Sequence, residues 1–211
     1  MTQPVELNTL EVRWFGDGDP PAQLLDWLNT QGSVERTHRR DLYFAGGTAG
    51  RNLKLRGGDS PRIELKWRLD TTARSFTAAV TGMIEQWYKW SFALAESTTL
   101  WDDNTTGLWL PVEKTRRLYT RSVPVNDITA TAQFEVTELQ VNGKSAWTCG
   151  LEVDGPSSTL VEAFQRVETT LLDEAFPLSL SATASMGYVA WLGETFDIRP
   201  HSAVTVGLSE F

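Results

Sequence analysis

Charged residues at every second position constrain the fold of this chain more than any other feature. They occur in Leu53-Lys54-Leu55-Arg56, Glu64-Leu65-Lys66-Trp67-Arg68, Glu113-Lys114-Thr115-Arg116 and Glu152-Val153-Asp154. Side chains at i and i+2 of a strand share a face. Lys54 with Arg56, Lys66 with Arg68, and Lys114 with Arg116 therefore project as pairs from one side of a strand. One such pair is ordinary solvated surface, and surface ion pairs would explain it. Three basic pairs on separate strands, with acidic pairs on others, imply a sheet with one polar face suited to a highly charged anion.

The 211 residues suffice for one domain with a sizeable core, and residues 1–211 are expected to form a single unit. The formal net charge is −8. That argues against broad nucleic-acid binding, which needs a basic surface, but not against a local basic cluster. Cys149 is the single cysteine, which excludes an intramolecular disulfide and any multi-cysteine zinc site. On a strand it reads as a small buried hydrophobe. His38 and His201 are too few and too far apart to suggest a His-rich metal site. No apolar run approaches the roughly 20 residues that span a bilayer, and the first ten residues lack the pattern of a signal peptide. The expectation is a cytoplasmic protein with no membrane partner.

Residues 5–15 read as a strand with Leu10, Val12 and Trp14 on one face and Glu11 and Arg13 on the other. Asp19-Pro20-Pro21 predicts a helix start with Asp as cap, and Gly32 its end. Residues 34–45 read as a strand closing at Gly46-Gly47. Residues 51–56 and 62–69 form a predicted hairpin through Gly57-Gly58-Asp59-Ser60-Pro61. Phe76, Val80, Met83, Ile84 and Trp87 fall at helical spacing and predict a helix over 77–90. Residues 107–112 and 114–123 read as strands with a bend between them. Residues 132–141 and 146–153 flank Asn142-Gly143, a hairpin signature. Thr159 with Glu162 resembles a capping box for a helix carrying Leu160, Phe164, Val167 and Leu171. A short helix is expected over 185–192. Many antiparallel strands with a few helices make an α+β pattern. Strands with one charged and one apolar face can close into a barrel with a wet, charged lumen.

Phosphate oxygens suit Arg and Lys, while Mg²⁺ needs carboxylate and water oxygens. In order along the chain, the charged strands resemble the CYTH superfamily of triphosphate tunnel metalloenzymes. The matching segments are Leu10-Glu11-Val12-Arg13-Trp14, Asp41-Leu42-Tyr43-Phe44, Leu53-Lys54-Leu55-Arg56, residues 63–68, Glu113-Lys114-Thr115-Arg116-Arg117, Glu135, Glu152-Val153-Asp154 and residues 188–192. The resemblance implies an antiparallel eight-stranded β-tunnel with a charged lumen and several flanking helices. It implies a metal-dependent phosphohydrolase that binds a triphosphate-bearing substrate. Arg13, Lys54, Arg56, Lys66, Arg68, Lys114 and Arg116 would then contact phosphate. Glu11, Glu152 and Asp154 would hold Mg²⁺ or Mn²⁺, and Glu11 and Glu135 would serve catalysis. The partner would be a small-molecule triphosphate or polyphosphate, with an RNA 5′ end the one nucleic-acid candidate.

The first strand departs from the family pattern of Glu-x-Glu-x-Lys, because Thr9 stands in place of the first carboxylate and Arg13 in place of the Lys. Arg binds phosphate well but does not readily transfer a proton. The alternative is therefore a non-catalytic polyphosphate- or organic-anion-binding protein on the same fold. Structural salt bridges without metal are the plain reading of Glu11, Glu152 and Asp154. Asp41 and Tyr43 read as structural hydrogen-bonding residues. A nucleotide cyclase would also need adenine recognition, which no residue pattern here identifies.

Overall fold

The computed structural model of the protein describes residues 5–95 and 108–196. Gly107 and His201 lie outside the described residues. The elements are β1 (Val5–Asp17), α1 (Ala22–Thr30), β2 (Val34–Phe44), β3 (Arg51–Arg56), β4 (Arg62–Ser75), β5 (Thr81–Ala93), β6 (Trp109–Val125), β7 (Ile128–Val141), β8 (Lys144–Gly155), α2 (Leu160–Leu171) and α3 (Tyr188–Phe196). The eight strands close into a ring in the order β1-β5-β4-β3-β2-β6-β7-β8, each pair antiparallel. Closure leaves no sheet edge open to pairing. No described helix is long and apolar enough to cross a membrane.

The apolar core lies outside the barrel wall. Val12 and Trp14 of β1, Phe134 and Val136 of β7, and Cys149, Leu151 and Val153 of β8 point outward. They pack under α1 (Leu24, Leu28) and α2 (Leu160, Phe164, Val167, Leu171). A second cluster closes one end of the barrel. There Phe15, Leu110, Val112, Leu139 and Val141 meet Trp191 and Leu192 of α3. Phe15 stacks on Trp191 with centroids 4.6 Å apart, and Tyr43 stacks on Tyr188 at 5.5 Å. The lumen is thus a cup with an aromatic floor.

The helix expected over 77–90 is a strand. Phe76 and Val80 belong to the turn before β5, where Phe76 N–H donates to the Val80 carbonyl. Phe76 also packs edge-on against Trp14, so its apolar spacing serves the turn and not a helix face. The bend expected within 107–123 is absent, since β6 runs unbroken from Trp109 to Val125. The Asp19 cap is not used: Pro21 occupies the N-cap of α1 and no side chain bonds there. Thr159 does cap α2 by position, but its hydroxyl donates to the Pro156 carbonyl and no capping box forms. Asn142 and Gly143 both take positive φ, 48° and 77°, as the hairpin signature requires.

Candidate functional site

The inward faces of the strands gather a cavity of about 230 Å³. Its wall carries eight cationic side chains, Arg13, Arg39, Lys54, Arg56, Lys66, Lys89, Lys114 and Arg116, against the five carboxylates Glu11, Glu64, Glu135, Glu152 and Asp154. The volume is below the roughly 300–1,000 Å³ of pockets for drug-sized ligands, so a compact ligand suits it. Ten of the eleven expected site residues meet here. Arg68 does not line the cavity, because its guanidinium is held by Glu85 and lies 5.8 Å from the centroid of the Trp87 ring. The register shifts between Arg68 and Asp70, so the later even-numbered residues of β4 turn outward, toward α2.

Three ionic groups organise the wall. At the first, Glu64 accepts from Lys54 at 2.8 Å, with Arg56 at 3.4 Å and Lys89 at 3.7 Å. Burial alone would push this carboxyl up. Lys54, Lys89 and Arg56 instead hold it far below the usual carboxylate range. At the second, Arg13 donates to Glu135 at 2.6 Å and Arg116 stands 3.9 Å away. Burial again opposes ionisation, but Arg13, Arg116, Lys114 and Arg39 keep Glu135 ionised. At the third, Lys66 bridges Glu11 at 2.8 Å and Glu152 at 3.7 Å. Burial raises the Glu11 carboxyl, with Lys66 opposing and Glu152 reinforcing. Glu152, despite its burial, is drawn down to about 2 by Lys66 and Lys89. Burial and the Glu152 charge both raise Asp154, which has no ion-pair partner among the described residues.

Cations are in excess near the floor. Asp41 faces Lys114 at 3.1 Å, Arg39 at 3.1 Å and Lys54 at 4.0 Å. Burial opposes its ionisation, yet Lys114, Lys54 and Arg39 hold it at about 2. Lys114 also donates to the Tyr43 hydroxyl at 2.7 Å and sits 3.7 Å from the Tyr188 ring centroid. Its burial, with Lys54 and Arg39 beside it, pushes the ammonium below the ordinary lysine range against the pull of Asp41. Burying like charges this closely is costly without a counter-ion. Asp41 and Tyr43, expected to be structural hydrogen-bonding groups, both contact Lys114 and anchor it.

Buried polar atoms without partners point the same way. Thr9 Oγ1, Thr37 Oγ1, Asn52 Oδ1, Ser91 Oγ and Arg116 Nε are unpaired, and all lie on inward-facing strand positions. Buried polar groups are normally hydrogen-bonded, so such a concentration marks a place that water or a ligand fills.

The lumen also contains residues that the charged pairs alone did not identify. Arg39 follows His38, which is exposed, but faces inward two positions before Asp41. Its alternation with Asp41 and Tyr43 was the available signal. Lys89 was hidden by the helical spacing assigned to β5. Glu64 shares its strand face with Lys66, two residues on.

Glu11 and Glu152 are paired carboxylates at the β1–β8 seam, with Asp154 next along the face, and are the oxygens a divalent metal would need. Among the described residues no group of three or more His, Cys, Asp or Glu side chains gathers to hold an ion. Mg²⁺ commonly binds through one or two carboxylates plus phosphate oxygens and water, so the pair fits an ion that arrives with a phosphate.

No protein-family model matches the chain, and no curated protein matches it. Among solved structures the chain is similar to a conserved hypothetical protein, Pfu-838710-001, from Pyrococcus furiosus. The two are 17% identical, the match covers 86% of this chain and 98% of that one, and the TM-score is 0.49.

Proposed function

We propose that the lumen binds a triphosphate-bearing or polyphosphate anion and that the protein is a CYTH-like phosphohydrolase. The observation that carries this reading is the excess of cationic side chains over carboxylates lining the cavity of a chain whose net charge is −8. The closed antiparallel ring of eight strands is compatible with the CYTH resemblance. Arg13, Lys54, Arg56, Lys66, Lys114 and Arg116, with Arg39 and Lys89, would surround the phosphates. Arginine offers a planar fork to phosphate oxygens and lysine a compact charge.

Glu11 and Glu152, with Asp154, would hold Mg²⁺ or Mn²⁺, which would polarise a phosphoryl oxygen. Glu11, at the same seam, would accept a proton from the attacking water. Glu135 is bound by Arg13 and Arg116, so its part is to orient those guanidiniums. The fully buried Thr9, whose hydroxyl has no partner, favours the second reading of anion binding without turnover.

Calorimetric titration with inorganic triphosphate tests the binding. Phosphate release with Mg²⁺, Mn²⁺ or EDTA tests turnover. Binding and metal-dependent release are expected, both reduced at least tenfold by Lys66→Ala or Arg116→Ala. Binding without release selects the second reading, and full activity in both variants refutes the site.

A further inference from the structure

The acidic pair at the β1–β8 seam already holds a cation of the chain's own. Glu11 and Glu152 are directly paired across β1 and β8. Lys66 reaches them from β4, on the far side of β5 in the ring. Its Nζ lies 2.8 Å from Glu11 Oε2 and 3.7 Å from Glu152 Oε2. A Mg²⁺ ion sits about 2.1 Å from its oxygen ligands. An ammonium wedged between the two carboxylates therefore fills the space that such an ion needs, and the two cations exclude each other. Lys89, the β5 neighbour of Lys66, is engaged by Glu64 at 3.7 Å.

A second observation sets an unmet acceptor on the strand position opposite Lys66. Asn52 faces Lys66 across the β3–β4 ladder and lines the same cavity. It is 9% exposed, and its Oδ1 has no hydrogen-bond partner. A buried amide oxygen without a donor is an unmet acceptor beside a flexible four-carbon stem that carries three donors.

We propose that Lys66 is a built-in competitor for the divalent cation, holding Glu11 and Glu152 in the free protein and releasing them when a polyanion enters. The proposal rests on the polyphosphate reading above. Phosphate oxygens offer the ammonium a denser set of acceptors, and Asn52 supplies one more. Once Lys66 has moved, the two carboxylates face the phosphates without a counter-ion, and an ion carried by the polyanion completes the charge balance. Binding is then ordered: the free protein holds no divalent ion, and the anion and the metal enter together.

The test measures Mn²⁺ binding by electron paramagnetic resonance and calorimetry, with no phosphate present. Lys66→Met keeps the stem and removes the charge. The wild-type protein is expected to bind Mn²⁺ at least tenfold more weakly than Lys66→Met, and adding Glu11→Gln to that variant should abolish the gain. Mn²⁺ should raise the melting temperature of Lys66→Met and leave that of the wild type unchanged, so a destabilised variant still reports. Lys66→Gln provides the same comparison where the Met variant does not fold. Inorganic triphosphate should make Mn²⁺ binding appear in the wild type. Wild-type protein that binds Mn²⁺ alone as tightly as the variant, or a folded variant with no gain, overturns the proposal. A wild-type protein that takes no triphosphate, with or without Mn²⁺, refutes the polyphosphate reading instead, and the phosphate-free comparison still decides the role of Lys66.

Discussion

Replacing Glu64 with Gln should weaken the fold and strengthen anion binding. Glu64 is 2% exposed and is the shared counter-ion of Lys54 at 2.8 Å, Arg56 at 3.4 Å and Lys89 at 3.7 Å. Single contacts at these separations are worth about 4–6 kcal/mol at an effective dielectric of about 20, before the cost of burying the charges is set against them. Breaking a buried pair by removing one partner has a net cost of about 3–5 kcal/mol. For a chain of this size each kcal/mol moves the melting temperature by about 2–4 °C, so Glu64→Gln should melt about 6–20 °C lower. Arg56 and Lys89 then lose their ion-pair partner, Lys54 keeps only Asp41 at 4.0 Å, and all three are freer for phosphate. Recovering only about 1.4 kcal/mol of the loss on binding tightens inorganic triphosphate tenfold. Circular-dichroism melts and calorimetry read the two quantities on one sample. General damage would lower both stability and affinity, whereas the lumen geometry requires them to move in opposite directions. A melting temperature within about 2 °C of wild type, or weaker triphosphate binding, refutes the counter-ion argument.

The acid limb of stability follows from the same carboxylates. Asp41, at about 2 in the folded protein, contributes stability that is complete above the ordinary Asp range and is lost as pH falls through about 4 toward 2. At about 1.36 kcal/mol per unit this is on the order of 2 kcal/mol, and Glu64, Glu135 and Glu152 act in the same direction. Glu11 acts in reverse: its raised value removes stability as pH rises above the ordinary Glu range. Melting temperature should therefore fall steeply between about pH 4 and 2, and a flat profile there contradicts the pairing. Lys114 is depressed in the free protein, so an anion beside it should raise its proton affinity and draw in a proton. Triphosphate calorimetry just below the ordinary lysine range, in buffers of different ionisation enthalpy, should show net uptake, and zero uptake counts against contact with Lys114. Gly150→Ala puts a Cβ 2.8 Å from the Val12 carbonyl oxygen and 3.3 Å from Arg13 Cζ. Backbone cannot yield there, so the seam should lose about 1–3 kcal/mol and Arg13 should shift, weakening triphosphate binding. An unchanged melt and affinity counts against that packing.

The closed antiparallel barrel of eight strands was legible in the chain, while one strand within it and the inward residues that strand carries were not. Alternation fixes which side chains share a face, so Lys54 with Arg56 and Lys114 with Arg116 could be placed together without knowing the neighbours of either strand. The same logic failed at Arg68, where the irregularity before Asp70 ends the alternation and Glu85 captures the guanidinium. No local signal marks that shift. β5 was obscured for a different reason. Trp87 faces the lumen while Tyr88, Trp90 and Phe92 alternate with inward Lys89 and Ser91, so large rings occur on both faces. Apolar residues on both sides erase the period of two, and the turn residues Phe76 and Val80 supplied a false period near four. The run of aromatics at 87–92, favoured in strands, was the signal against a helix. Lys89 was lost with the strand. Asp41 shows the limit of sequence more sharply: Arg39 shares its strand face two positions earlier, but Lys54 and Lys114 reach it only because β3 and β6 pair on either side of β2.

The distribution of charge also bears on what can enter. Cations outnumber carboxylates in the cavity wall, so the rest of a chain with net charge −8 is more negative than that total. That excess of negative charge opposes a long polyanion more than a short one. The field reaches about 8–10 Å into solvent at physiological salt. Phosphates of a duplex or a folded RNA that stay outside gain none of the lumen's cationic contacts, whereas a compact group within the cavity gains them all. The aromatic floor formed by Tyr188 and Trp191 adds a stop, because a strand cannot thread past stacked rings packed against Phe15 and Tyr43. A basic patch on an open surface selects for charge alone. On the proposed reading, a basic cup with a closed floor would favour charge that is also compact, and a short phosphate chain or the terminal phosphates of a larger molecule would meet both conditions.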